Sequence, residues 1–291
     1  MTGVSSLSDW RRLPLATAIA TYLLIVMGAV VRATGSGLGC PDWPTCQGSW
    51  VPPLEREALI EYAHRSLAVG VGVLVLAMAW SAWRRRPSEP QRWWLTVLVL
   101  VLVAVQAAFG RQVVLAGLDP GLVTVHLGVA LVLLALLVVL ALPEAAPLRS
   151  GRWRKGYLWL LPTGVLTVAL LGAAVRSGNA TLAFSDWPLM GGQLVPGGLG
   201  DEARRLQFVH RLTAGIFLAG TVAWAFMARR TARPVAGLGA TLAVLVTAQA
   251  GVGAYLVLGA LPTIAVIGHL ALGSAAWVVA LLIPAAAAGR G

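Results

Sequence analysis

Glu61-Tyr62-Ala63-His64-Arg65 stands where a polar segment passes into an apolar run, 66–83. The same event recurs at Gln207-Phe208-Val209-His210-Arg211. The chain has only 4 histidines, and the other two, His126 and His269, also open apolar runs. Ionisable groups inside apolar spans are costly, and they mark function or polar contacts between helices. One histidine at the start of each of four runs points to two sites, each taking a histidine from two helices.

Working outward from these positions, 58% of the 291 residues are hydrophobic, 11% are charged, and the mean hydropathy is +0.81. A soluble domain carries about a quarter charged residues, so the chain is expected to be integral to a membrane. A helix crossing a bilayer needs roughly 20 apolar residues. Eight such runs occur, near 13–31, 61–83, 93–115, 122–142, 157–175, 207–228, 235–258 and 263–284. They are continuous rather than alternating, which predicts helices and excludes a barrel. The expected fold is all-α, with eight transmembrane helices. The first run is long enough to span and no cleavage site follows it, so it is read as a span and not as a leader.

The net charge is +11, and all but one of the 22 basic residues are arginine. Arg11 and Arg12, then Arg84, Arg85, Arg86 and Arg92, then Arg149, Arg152, Arg154 and Lys155, then Arg229, Arg230 and Arg233 fall in alternate links. The positive-inside rule places those links and both termini in the cytoplasm, with the segments around 33–60 and 176–206 outside. The same rule accounts for the charge without nucleic-acid binding, so no nucleic-acid partner is expected.

The two halves align at nearly constant offset. Gly28-Ala29-Val30-Val31-Arg32 matches Gly172-Ala173-Ala174-Val175-Arg176, and Asp42-Trp43-Pro44 matches Asp186-Trp187-Pro188. Gln106 and Gly110 match Gln249 and Gly253, and His126-Leu127-Gly128 matches His269-Leu270-Ala271. The fold is thus expected to be two tandem four-helix bundles, 1–148 and 149–291, repeated in the same orientation. Two inward histidines at one depth in such a bundle can ligate a cofactor between helices. A bare zinc or copper ion would need further protein donors, whereas haem needs only axial ligands. Arg32, Arg65, Arg111, Arg176 and Arg211 lie at outer span ends, against the positive-inside bias. They are candidates to hold haem propionates, Arg65 and Arg211 above all because each follows a histidine.

Function is expected where the repeat breaks. Glu61, three residues before His64 and on its helix face, becomes Gln207 before His210. An acid at a haem edge can move a proton and an amide cannot. Cys40 and Cys46 become Phe184 and Met190. In an oxidising outer compartment the two cysteines are expected to form a disulfide, either structural or redox-active.

On these residues the chain resembles the haem A synthases. The resemblance rests on the eight spans, the two-fold repeat, the four histidines, Glu61-x-x-His64-Arg65, and Thr34-Gly35-Ser36-Gly37-Leu38-Gly39-Cys40-Pro41-Asp42-Trp43-Pro44-Thr45-Cys46. It implies that haem O is the substrate, one porphyrin methyl being oxidised to a formyl group through a hydroxymethyl intermediate. It implies His64 and His126 as ligands of the substrate haem, His210 and His269 as ligands of a resident haem b, and Glu61 as the essential acid. Cys40 and Cys46 resemble the cysteine pair of a bacterial subgroup. Haem O synthase as a partner, an electron donor of unspecified kind and a bacterial cell-membrane location are further implications. The competing readings are a di-haem electron-transfer protein and a haem carrier. Histidines near one face only argue against the first, and the Glu61/Gln207 difference against the second.

Overall fold

The structure, a computed structural model, describes residues 7–142 and 156–288. The basic link with Arg149, Arg152, Arg154 and Lys155, and the boundary expected between 148 and 149, lie outside the described residues. Among the described residues there is no named strand, only isolated bridges at Cys46–Ser49 and Met190–Gln193. Among the described residues eight helices are long and apolar enough to cross a membrane. They are α1 (Leu7–Ala33), α2 (Arg56–Arg85), α3 (Pro90–Leu115), α4 (Pro120–Ala141), α5 (Leu160–Ser177), α6 (Glu202–Ala228), α7 (Arg233–Leu258) and α8 (Thr263–Ala288).

Local sequence explains several of the ends. Pro90 opens α3, where its missing N–H costs nothing. Asp201 caps α6 by accepting the Arg204 N–H at 2.9 Å, and Asp119 accepts the Leu122 N–H at 2.9 Å ahead of α4. A short 3₁₀ turn, Gly156–Trp159, leads into α5. The main departure from the sequence expectation is at α2 and α6. Each starts about five residues before its apolar run, at Arg56 and Glu202. Polar residues extend a helix as well as apolar ones do, so hydropathy locates the bilayer and not the helix end. Glu61 and Gln207 therefore sit more than a turn inside their helices.

The described residues form two compact units, one of 7–118 with 129–142 and the other of 119–128 with 156–288. In the first, α2 packs against both α1 and α3. Arg11 Nε donates to the Ala141 carbonyl at 3.1 Å, tying the start of α1 to the end of α4. In the second, α6 packs on α5 and α7, and α8 packs on α7 and α5. The start of α4 belongs to this unit. Thr124 Oγ1 lies 3.1 Å from Ser177 Oγ, and Gly128 lies against Leu170 of α5. His64 is accordingly in the first unit, and His126, His210 and His269 are in the second.

Candidate functional site: a braced loop above seated histidines

The loop between α1 and α2 has little secondary structure beyond the 3₁₀ turn Ser36–Leu38, so side chains must satisfy its backbone. Asp42 gathers the tip. Its carboxylate accepts N–H bonds from Gln47 at 2.5 Å and Gly48 at 2.9 Å and a hydroxyl bond from Thr45. Gln47 and Gly48 have φ of 51° and 78°, a conformation that the acceptor stabilises. The Thr45 hydroxyl and the Gly48 N–H hold the Asp42 carboxyl down to about 2. Gly39 lets the chain pass α2: a Cβ there would stand 2.3 Å from the Glu57 carbonyl oxygen.

Arg65 braces this loop from α2. Its Nη1 donates to the carbonyls of Asp42 and Thr45, both at 2.8 Å, and its Nη2 to the Cys40 carbonyl at 2.5 Å. Nη2 also pairs with Glu61 Oε1 at 2.6 Å. The other carboxylate oxygen, Oε2, accepts the Cys40 N–H at 2.8 Å. Glu61 is only 3% exposed, so its charge is compensated by one guanidinium and one peptide N–H. Cys40 and Cys46 are joined in a disulfide and buried against Ala58 and Tyr62. The Tyr62 hydroxyl donates to the Trp50 carbonyl at 2.7 Å, fixing the far side of the loop.

The second unit repeats the arrangement with one chemical change. Asp186 accepts N–H bonds from Gly191 at 2.8 Å and Gly192 at 2.9 Å, which lower its carboxyl below the usual range. Arg211 donates to the carbonyls of Asp186 at 2.8 Å, Leu189 at 3.1 Å and Phe184 at 3.1 Å. Trp43–Pro44 and Trp187–Pro188 are both cis. Gln207 Oε1 accepts the Phe184 N–H at 2.6 Å, as Glu61 accepts that of Cys40. Its Nε2, however, donates to the carbonyls of Thr181 and Phe184. The amide is spent on the backbone at both ends, while the carboxylate keeps an ionic partner and the ability to take a proton.

All four histidines are half-buried and lie within the first three turns of their helices. His64 of α2 rests against Gly28 of α1, His210 of α6 against Gly172 of α5, and His269 of α8 against Gly253 of α7. The Nδ1 atoms of His210 and His269 are buried. Gln249 Nε2 donates to the His269 carbonyl at 2.8 Å. Arg32 and Arg176 are half-buried one turn beyond Gly28 and Gly172. Among the described residues no group of three or more His, Cys, Asp or Glu could hold a metal ion. A pair of imidazoles with buried ring nitrogens fits a cofactor that brings its own equatorial donors, as haem does.

Several contributors escape a sequence reading. Tyr62 acts on a loop carbonyl, the aspartates of the repeated Asp-Trp-Pro are expected to shape the loops but not through which donors, and the guanidinium targets depend on the path of the loop. The repeated Asp-Trp-Pro was the available signal for the aspartates.

Among the described residues, eight helices apolar enough to span, four of them carrying one histidine each, define a multi-span membrane protein. Residues 11–281 match the family described as cytochrome oxidase assembly protein, and the chain belongs to that family. It is similar to the haem A synthase of Shouchella clausii, 32% identical over 85% of this chain and 86% of the relative. It is likewise similar to the haem A synthase of Geobacillus kaustophilus, at 32% over 83% and 80%. To that of Symbiobacterium thermophilum it is 31% identical, over 92% of both chains.

Proposed function

We propose that the chain is a haem A synthase, a membrane oxidoreductase that converts haem O to haem A for cytochrome oxidase. The single observation that carries the residue assignment is the Glu61/Gln207 difference inside two otherwise matching loop braces. One half keeps an acid where the other keeps a neutral amide.

In this reading residues 1–148 form the catalytic half and 149–291 the half with the resident cofactor. His64 and His126 hold the substrate, haem O, and His210 and His269 hold haem b. Haem b, when bound, would supply one-electron chemistry. Glu61 handles the proton at its carboxylate oxygens while Arg65 and the Cys40 N–H keep that carboxylate fixed. Arg32 and Arg176, one turn beyond the histidine-facing glycines, and Arg65 and Arg211, from the loop side, meet the propionates. Among the described residues Arg65 already commits both Nη1 and Nη2 to protein acceptors, so its Nε is the donor left for a propionate. The Cys40–Cys46 disulfide clamps the loop on the side of Glu61. The termini are assigned to the cytoplasm, the haem sites to the outer face of a bacterial cell membrane, haem O synthase to the supply of substrate, and a separate donor to the electrons.

Co-expression with a haem O synthase in a host lacking haem A, followed by chromatography and mass analysis of the membrane haems, tests this. Formyl or hydroxymethyl product is expected. Unchanged haem O beside folded, haem-loaded protein would replace the enzyme reading with that of a carrier or electron-transfer protein.

A further inference from the structure

We infer that Gly172 and Gly253 are positioning residues for the cofactor-binding histidines, each leaving on one helix the space into which the imidazole of the next helix is seated. The inference rests on His210 and His269 being haem ligands.

The distances carry it. A Cβ on Gly172 would stand 3.0 Å from His210 Cε1 and 3.6 Å from both ring nitrogens. A Cβ on Gly253 would stand 3.2 Å from His269 Cε1. In the other unit a Cβ on Gly28 would stand 3.4 Å from His64 Cε1. Favourable carbon–carbon contact begins at roughly 3.5 Å, so alanine at 172 or 253 must displace the ring. A helical side chain has few staggered positions to move to, so the displacement becomes a tilt of the ring and not a slide.

The pattern is directional: the histidine is on the even-numbered helix and the glycine on the helix before it. It is also specific. Gly164 and Gly239 are close-approach glycines too, but a Cβ there would meet Phe217 and Trp224, which are packing side chains. Gly215, Gly220, Gly237, Gly251 and Gly268 would meet nothing within 4 Å. The glycines that face imidazoles are thus a distinct set.

A second contact strengthens the case at His269. Gln249 is one turn before Gly253 on the same face of α7. Its Nε2 donates to the His269 carbonyl at 2.8 Å, and a Cβ on Gly273 would crowd that amide at 3.1 Å. Helix α7 therefore fixes His269 twice, by an amide on its backbone and by a vacancy for its ring. Gln106 and Gly110 repeat the Gln-x-x-x-Gly spacing on α3, with Gly110 and His126 at the separation of Gly253 and His269.

The test is made on purified full-length protein, by haem occupancy and by optical and electron paramagnetic resonance spectra. Gly172→Ala and Gly253→Ala are expected to lower occupancy of the bis-histidine, low-spin haem by ~10-fold, the loss typical when a ligand's support is removed. What haem remains is expected to be high-spin, and added imidazole should restore the six-coordinate spectrum in folded protein. Gly164→Ala should lower the melting temperature and leave the spectrum alone. Wild-type occupancy and spectrum in both glycine variants, alongside loss of haem in His210→Ala and His269→Ala, overturns the positioning role. Retention of low-spin haem in both histidine variants overturns the ligand assignment instead. If Gly172→Ala does not fold, Gly253→Ala decides: a high-spin haem rescued by imidazole supports the role, and an unaltered spectrum overturns it.

Discussion

Glu61 and Gln207 accept the same kind of peptide N–H from equivalent loops, which makes Glu61→Gln a clean substitution. The glutamine is expected to preserve the Cys40 contact, leave the haem content unchanged and lower product formation by ~100-fold or more, the scale of a lost general acid or base. Haem extraction after turnover checks both halves of that statement. Arg211 gives a second residue-scale expectation. Arg211→Lys replaces a planar fork that reaches three carbonyls with a single ammonium. Charge-assisted bonds contribute about 1.5–3 kcal/mol each, so amide exchange in the 184–192 loop should accelerate at least tenfold while the helices stay protected. The acid–amide contrast was legible in the sequence because it is a change of residue type at an aligned position. The brace was not. Which oxygen a guanidinium reaches depends on the course of the loop, and adjacency to a histidine carries no information about that.

At the scale of elements, the eight helices were readable because each crosses the bilayer as an unbroken apolar run. Their starts at Arg56 and Glu202 were not, because the extra turns are polar. The loops show a similar division. Asp42-Trp43-Pro44 announces a turn, but not that its carboxylate gathers three donors. That gathering fixes a pH response. The Asp42 carboxyl is at about 2 in the folded loop against an ordinary 3.8. Its contribution is therefore complete above the ordinary value and is lost as pH falls through about 2. Limited proteolysis of the 34–55 segment should be insensitive to pH from neutrality to about 4, then rise steeply towards 2. Asp42→Asn should cleave faster throughout and show a flattened profile.

For the whole molecule, the alternation of basic and uncharged links predicts one orientation. Ser88→Cys should be protected from an impermeant maleimide in intact cells and labelled after permeabilisation, while Gly117→Cys should be labelled in both. The reverse pattern would invert every side assignment. The sequence repeat also made the two matching loops visible, whereas the grouping of 119–128 with the second unit depends on packing at Thr124 and Gly128 that no motif signals. The braces have a final consequence, and it concerns the order of synthesis. The loop at 34–55 takes its shape from Glu61, Tyr62 and Arg65, which leave the ribosome after it. In the orientation that the basic links predict, that segment crosses first and waits as an unstructured tether until the start of α2 has emerged. The first unit therefore closes from its later residues back onto its earlier ones. A nascent chain stalled with residue 60 at the insertion site should expose its cysteines to alkylation, and one stalled a full helix later should not.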